Sequence, residues 1–376
     1  MSRGVSGAGR AESEDEGASR RLPSTTRPAE TRRGRGATAN PDGRFEATRR
    51  ELFDDGWAAD APAHLRTVVT AERARTLITR NTSPDISFDR SINPYRGCEH
   101  GCVYCFARPN HAYVGLSPGL DFETKLFHKP DAVRLLTAEL SAPAYRPATI
   151  ALGTATDPYQ PIEREHRLTR GILEVLARFR HPVGIVTKSN LVVRDLDLLA
   201  DLARDDLVKV AVSVTTLDPD LARRLEPRAP HPKKRLEAIE RLSAAGIPVM
   251  VIAAPVIPSL NDHEIEAILG EARERGAREA SHVLLRLPHE LDALVDDWFA
   301  EHYPGRRAHV MSLVRQARGG RAYDAEYGHR MVGTGAYAGL IVQRMRLARR
   351  RLGYPEDRLR LRTDLFARPT DQLCLF

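Results

Sequence analysis

Residues 91–108 read SINPYRGCEHGCVYCFAR and place three of the chain's four cysteines, Cys98, Cys102 and Cys105, on one tight loop. Thiolates spaced C-x3-C-x2-C can converge on a single inorganic centre, and three of them leave one iron of a four-iron cluster without a protein ligand. Structural metal sites are normally closed by four protein ligands, so a trio points to a centre that keeps a position for a water, a substrate or a cofactor. Two other readings stand beside this one. A zinc ion could be held by the three cysteines with His100 or His111, although zinc sites more often use paired C-x2-C knuckles. The cysteines could also be neighbours by chance.

A chain of 376 residues is long enough for one large α/β domain with appendages. No stretch approaches the roughly 18 apolar residues that span a bilayer, and the first residues lack the apolar core of a signal peptide. A soluble, cytoplasmic protein without membrane contact is expected, in a compartment reducing enough for thiolates to hold metal. The net charge of +7 is unevenly placed: residues 1–50 carry eleven arginines against seven acids, and residues 341–376 nine against four. Basic ends around a near-neutral body suit a polyanion such as nucleic acid, because phosphate contacts release counterions.

Residues 1–45 are too poor in apolar side chains to offset the entropy of ordering, which predicts a disordered basic tail. Residues 46–90, with Leu52, Phe53 and Trp57, form a covering segment. From 91 to 290, short apolar runs alternate with helical patterns, the signature of βα units. Strands are expected at 91–95, 123–129, 149–154, 183–188, 207–213, 249–253 and 282–286. The fold class is therefore α/β, a partial (β/α) barrel of six to seven parallel strands, with a doubly wound sheet as the alternative. Residues 291–355 read as a helical accessory region ending in an amphipathic helix on Tyr337, Ile341, Met345 and Ala348. Residues 356–376 read as a flexible basic tail.

Polar groups recur where the strands end: Thr154 and Thr156, then Lys188, then Ser213, Thr215 and Thr216. In a barrel such positions share one rim and could grip a zwitterion and a ribose. Glu226 and Arg228 follow in a proline-rich loop, as functional groups or as a surface ion pair. Asn261 and Asp262 precede a helix and read first as its N-cap.

The cysteine spacing, with an aromatic at Tyr104, resembles the radical S-adenosylmethionine (SAM) superfamily. Adding TDPYQPIE at 156–163, TKS at 187–189, VSVTT at 212–216, LEPRAP at 225–230 and AAPVIPSLND at 253–262, the chain resembles the spore photoproduct lyase-like, DNA repair photolyase-like family within it. The resemblance implies a [4Fe-4S] cluster on Cys98, Cys102 and Cys105 as the catalytic centre, S-adenosyl-L-methionine on its open iron, and a 5′-deoxyadenosyl radical that abstracts hydrogen. It implies that Tyr104, Thr156, Lys188 and Ser213 position the cofactor, that an electron donor such as a flavodoxin or ferredoxin supplies the reductant, and that the substrate is nucleic acid. One departure limits it: Thr154 stands where spore photoproduct lyases carry a hydrogen-returning cysteine, and a hydroxyl O–H is too strong for that task. Action on a protein or small molecule, and a non-catalytic metal-stapled nucleic-acid module, are the alternatives. Finally, Gln372, Leu373, Cys374, Leu375 and Phe376 resemble the short peptide that hooks repair proteins onto the bacterial sliding clamp, a mode in which two apolar side chains enter a groove.

Overall fold

A computed structural model describes residues 33–47 and 65–369. Ten strands run in chain order: β1 (Val68–Ala71), β2 (Ile78–Arg80), β3 (Arg90–Ile92), β4 (Tyr95–Arg96), β5 (Lys125–His128), β6 (Ile150–Leu152), β7 (Val183–Thr187), β8 (Val208–Ser213), β9 (Val249–Val256) and β10 (Glu279–Leu284). Seven make the main sheet, ordered β10-β9-β8-β7-β6-β3-β2. The six from β3 to β10 are parallel, and only β2 runs antiparallel at the edge. Parallel strands need crossovers, which bury both faces of the sheet. Accordingly Ile150, Leu152, Val183, Val208, Val210 and Val212 are fully buried.

Among the described residues eleven α-helices accompany the strands. A single turn, α1 (Asp121–Thr124), precedes β5; α2 (Ala132–Ser141), α3 (Glu163–His166), α4 (Leu168–Arg178) and α5 (Leu196–Arg204) follow in turn. Next come α6 (Pro219–Leu225), α7 (Pro232–Ala244), α8 (Ile265–Glu274), α9 (Leu291–His302), α10 (Pro304–Gln316) and α11 (Gly335–Arg351). Sequence chemistry sets several starts. Pro219 opens α6 behind Asp218, whose carboxylate accepts from the Asp220 and Leu221 amides. Pro232 opens α7 behind His231, which caps the Lys233 amide. Along α11, Ala338, Ile341, Met345 and Ala348 face the body, while Arg344 turns outward to Glu266 at 2.6 Å.

The partial barrel is as expected, with three differences in membership. The run at 123–129 is not a barrel strand: β5 lies between β1 and β4 in a separate three-stranded sheet. Residues 33–45 do not extend a disordered tail. Gly36 and Ala37 dock on the body by donating their amides to Glu123 at 2.9 and 2.8 Å. Residues 356–369 also pack down: Phe366 sits among Tyr145, Phe179 and His181, and the Ala367 amide donates to Phe179 O. Both corrections have one cause, since a few small or aromatic residues that find distant partners outweigh a polar average composition. The clamp-like peptide, residues 1–32 and the run with Leu52, Phe53 and Trp57 lie outside the described residues. Among the described residues no helix is long and apolar enough to cross a membrane.

Phe366 packs beside a buried titratable pair. His181 Nδ1 lies 3.0 Å from Pro182 O and Nε2 lies 2.8 Å from the Tyr145 hydroxyl. A carbonyl only accepts, so Nδ1 carries the proton and Nε2 accepts from Tyr145. A second proton would require the Tyr145 hydroxyl to turn its own proton away, and burial pushes the His181 pKa down to about 4. The unfolded chain therefore binds more protons than the folded one between about pH 6.5 and 4. Acidification through that window is expected to cost on the order of 1.4 kcal/mol of stability per pH unit from this group. Denaturant midpoints at pH 7, 6 and 5, compared between wild type and His181→Gln, check it; equal slopes would contradict it.

Candidate active site

The cysteine loop leaves the carboxyl end of β3 through β4 and is braced from below by a fully buried ion pair, Arg108 with Glu123. Arg108 spends its remaining donors on the loop and its flank, with Nε on Cys102 O and Nη1 on Gly119 O, both at 2.8 Å. The Cys98 amide donates to Phe122 O at 3.0 Å and the Val103 amide to Leu225 O at 3.0 Å. Gly101, at φ +69°, turns the chain between the first two cysteines, a conformation that glycine adopts without steric cost. The segment with Gly36 straps this turn so closely that a Cβ on Gly36 would sit 1.7 Å from Gly101 O. Gly36→Ala is thus expected to lift the strap, costing about 1–3 kcal/mol by overpacking and lowering iron retention. A denaturation midpoint and iron content equal to wild type would show that the strap does not dock there.

The three thiols are free, two buried and Cys105 partly so. Burial pushes all three pKa values up, so they ionise only when a cation takes the place of the proton. Each histidine of the zinc reading places one ring nitrogen on a protein oxygen, and His111 Nδ1 is buried with no hydrogen-bond partner among the described residues. His100 Nδ1 lies 3.4 Å from Asp157 Oδ2, and His111 Nε2 lies 2.9 Å from Lys125 O. A tetrahedral zinc site brings its sulfurs within about 4 Å of one another. Among the described residues, three potential metal-donor side-chain atoms meet within 4.8 Å only at Asp324, Glu326 and His329.

Beside the loop, the ends of β7, β8 and β9 bring a charged network together. Lys188 Nζ lies 2.8 Å from Ser213 Oγ, 3.2 Å from Thr215 Oγ1, 3.3 Å from Ala254 O and 3.2 Å from Glu226 Oε1. It stands over the Tyr104 ring, 5.5 Å from the centroid. The Tyr104 hydroxyl donates to Glu226 Oε1, and Arg235 pairs with Glu226 Oε2. Burial pushes the Lys188 pKa down to about 8, with Cys102 opposing and Arg235 assisting the shift. Three ammonium protons among four oxygens leave acceptors over, so a ligand can exchange one contact for another.

A second arm holds the first in register. Asp157 accepts from Thr187 Oγ1 and from the Lys188 amide, each at 2.7 Å. Burial works against its charge, but His100 and these donors keep its carboxyl below the usual range. Gln160 spans Gly97 O and the Glu99 amide at 3.2 and 2.9 Å, tying the loop after β6 to the cysteine loop.

Tyr104, Lys188 and Ser213 thus meet in one network. Thr156 is buried on the second arm, with Oγ1 3.3 Å from Tyr95 O and, among the described residues, no bond to that network. Thr154 accepts from Asn93 Nδ2 at 3.1 Å. Glu226 and Arg228 are not a surface pair: Glu226 is 2% exposed and meets Lys188 and Arg235, while Arg228 reaches Glu99 at 3.2 Å. Asn261 is no cap either. Its Oδ1 accepts from the Ile257 amide at 2.6 Å, and its Nδ2 donates to Thr215 O and Pro255 O at 2.7 and 2.9 Å. It closes the turn after β9 and fixes Thr215, whereas Asp262 accepts from the Tyr337 hydroxyl at 2.6 Å. Arg235 is absent from the sequence reading. Its signal was an arginine four and seven residues ahead of Ile239 and Leu242 on the buried stripe of α7.

The radical SAM superfamily model matches residues 92–272, the span from β3 through α8. An uncharacterised protein of Mycobacterium tuberculosis strain H37Rv is 39% identical over 233 residues, 61% of this chain and 68% of its own length. The chain belongs to the radical SAM superfamily. An uncharacterised protein of Methanocaldococcus jannaschii is 30% identical over 182 residues, 48% of this chain and 65% of its own. Among solved structures, spore photoproduct lyase complexed with dinucleoside spore photoproduct superposes with a TM-score of 0.54 at 15% identity, covering 76% of this chain and 79% of that one. A variant of that lyase with bound AdoMet and the same dinucleoside gives 0.53 over the same shares. At such identity the likeness is one of fold. The radical SAM family implies SAM and an iron–sulfur cluster. The three free thiols on one largely buried loop and the polar network beside them fit both groups.

Proposed function

We propose that this chain is a radical SAM enzyme that acts on nucleic acid, in a repair-like reaction. The observation that carries the proposal is the network of Tyr104, Lys188, Ser213 and Glu226 beside an exposed-edged trio of free thiols. Cys98, Cys102 and Cys105 would hold a [4Fe-4S] cluster, and SAM bound beside it would supply a carbon-centred radical able to abstract hydrogen. The chain's own residues bind and orient. Lys188 and Ser213 present an ammonium and a hydroxyl to the carboxylate end of an amino acid, Glu226 anchors Lys188 and Tyr104 from the interior, and Thr156 with Asp157 shapes the neighbouring wall. The apolar shell of Val103, Leu221, Leu225 and Ile257 around the loop limits water.

Nucleic acid is favoured as substrate by the basic ends and by the fold shared with a lyase whose structures hold a dinucleoside photoproduct. Thr154 argues for a reaction other than thymine-dimer reversal through a cysteine. The test is 5′-deoxyadenosine formation by anaerobically reconstituted protein with dithionite and SAM, with and without ultraviolet-damaged DNA. Damage-dependent stimulation supports the proposal. Formation that no DNA or RNA alters, with no affinity for either at low salt, would contradict it.

A further inference from the structure

Directly after Cys105, Phe106 stays 47% exposed, with the Arg286 guanidinium over its ring at 4.3 Å. Arg286 lies two residues past the end of β10, on the rim of strand ends that carries Lys188 and Ser213. Among the described residues it has no hydrogen-bond or ion-pair partner. The other cations near it are already engaged. Arg318 donates to the carbonyls of Leu284, Leu285, His329 and Arg330 at 2.9–3.1 Å, and Arg330 pairs with Asp85. A half-buried guanidinium that no carboxylate contacts, with the nearby Asp85 already paired to Arg330, is suited to an anion brought by a ligand.

A second pair of rings is tied to the same segment through Arg44. Phe45 and Tyr113 are 58% and 67% exposed, with centroids 5.2 Å apart, and Arg44 lies over both at 4.5 and 5.1 Å. Arg44 joins the two pairs: its amide donates to Glu290 at 3.0 Å and its Nη1 to Pro109 O at 3.1 Å. Glu290 is four residues past Arg286, and Pro109 three past Phe106. The segment after the third cysteine, with Arg44 docked on it, therefore carries or holds three exposed rings, and Arg286 beside it has no hydrogen-bond or ion-pair partner among the described residues. Aromatic rings stack any base that is free of its own stack, and an unpaired arginine takes a phosphate. An apolar protein surface would leave that charge unanswered.

We infer that Phe106, Arg286, Phe45 and Tyr113 form a contact face for an unstacked nucleotide, with the rings on bases and Arg286 on a phosphate. This assigns residues to the substrate side and rests on the nucleic-acid reading above. The test is fluorescence anisotropy of the intact, reconstituted chain with a labelled single-stranded oligonucleotide over a salt series, alongside calorimetry with SAM. Tyr113→Ala and Phe106→Ala are each expected to weaken oligonucleotide binding by about fivefold or more. Arg286→Gln is expected to reduce the slope of log affinity against log salt by about 0.7, one phosphate's share on a single strand, with SAM affinity retained. Phe106 neighbours a cysteine, so Tyr113, mostly solvent-exposed, keeps the test open if Phe106→Ala misfolds. Wild-type binding that all three variants share would overturn the face while leaving the nucleic-acid reading intact. Loss of SAM affinity in Arg286→Gln would instead assign that cation to the cofactor's carboxylate. No oligonucleotide binding by wild type, or binding of peptides alone, would overturn both.

Discussion

Replacing Cys98 with alanine is expected to reduce iron in anaerobically reconstituted protein from about four atoms per chain to background. Production of 5′-deoxyadenosine should fall with it, by more than the roughly 10–100-fold typical when only an outer-sphere partner of a metal site is lost. The two thiols left, Cys102 buried and Cys105 partly so, are already disfavoured as anions and are not expected to hold a cluster that three share. Cys102→Ala and Cys105→Ala should behave alike. Cys374→Ala should leave iron unchanged, because that thiol is not part of the trio. Iron content and an absorption spectrum after desalting read the result, and full iron in any one of the three variants would remove the basis for the assignment.

The second large effect concerns Glu226. Its two oxygens answer Arg235, 1% exposed, and Lys188, 16% exposed, while also receiving the Tyr104 hydroxyl. Glu226→Ala strands the Arg235 guanidinium in the interior, and removal of one partner from a buried pair costs about 3–5 kcal/mol. Because Tyr104 and Lys188 lose a shared anchor, SAM affinity should drop in the same variant. Denaturant unfolding of the metal-free protein measures the first effect and calorimetry on the reconstituted protein the second. A Glu226→Ala, Arg235→Leu double variant should recover part of the stability, since the uncompensated charge leaves with its partner. A single-variant loss under about 1 kcal/mol would mean that the network is solvated rather than buried.

What the sequence disclosed was local. The cysteine trio and the polar residues after each strand are readable because a loop motif and a strand end are short-range patterns, and parallel strands put such ends on one rim. Partners that lie far apart in the chain were not readable. Nothing around Gly36 and Ala37 announces that both amides will end on Glu123, 87 and 86 residues away. The same holds for Phe366, an apolar residue in a basic stretch that reads as a tail until Phe179 and His181 are found beside it. Glu226 and Asn261 misled in another way: a carboxylate in a proline-rich loop and an asparagine before a helix have common local uses, and tertiary contacts overrode both.

In the proposed centre three thiolates hold a cluster on which one iron remains for SAM. Electron paramagnetic resonance of the dithionite-reduced protein, recorded before and after SAM is added, reads that open iron. A reduced iron–sulfur signal whose g values shift on addition of SAM is expected, with a smaller shift or none in Lys188→Ala. A protein that contains zinc in place of iron, or an iron signal that SAM leaves unaltered, would contradict it.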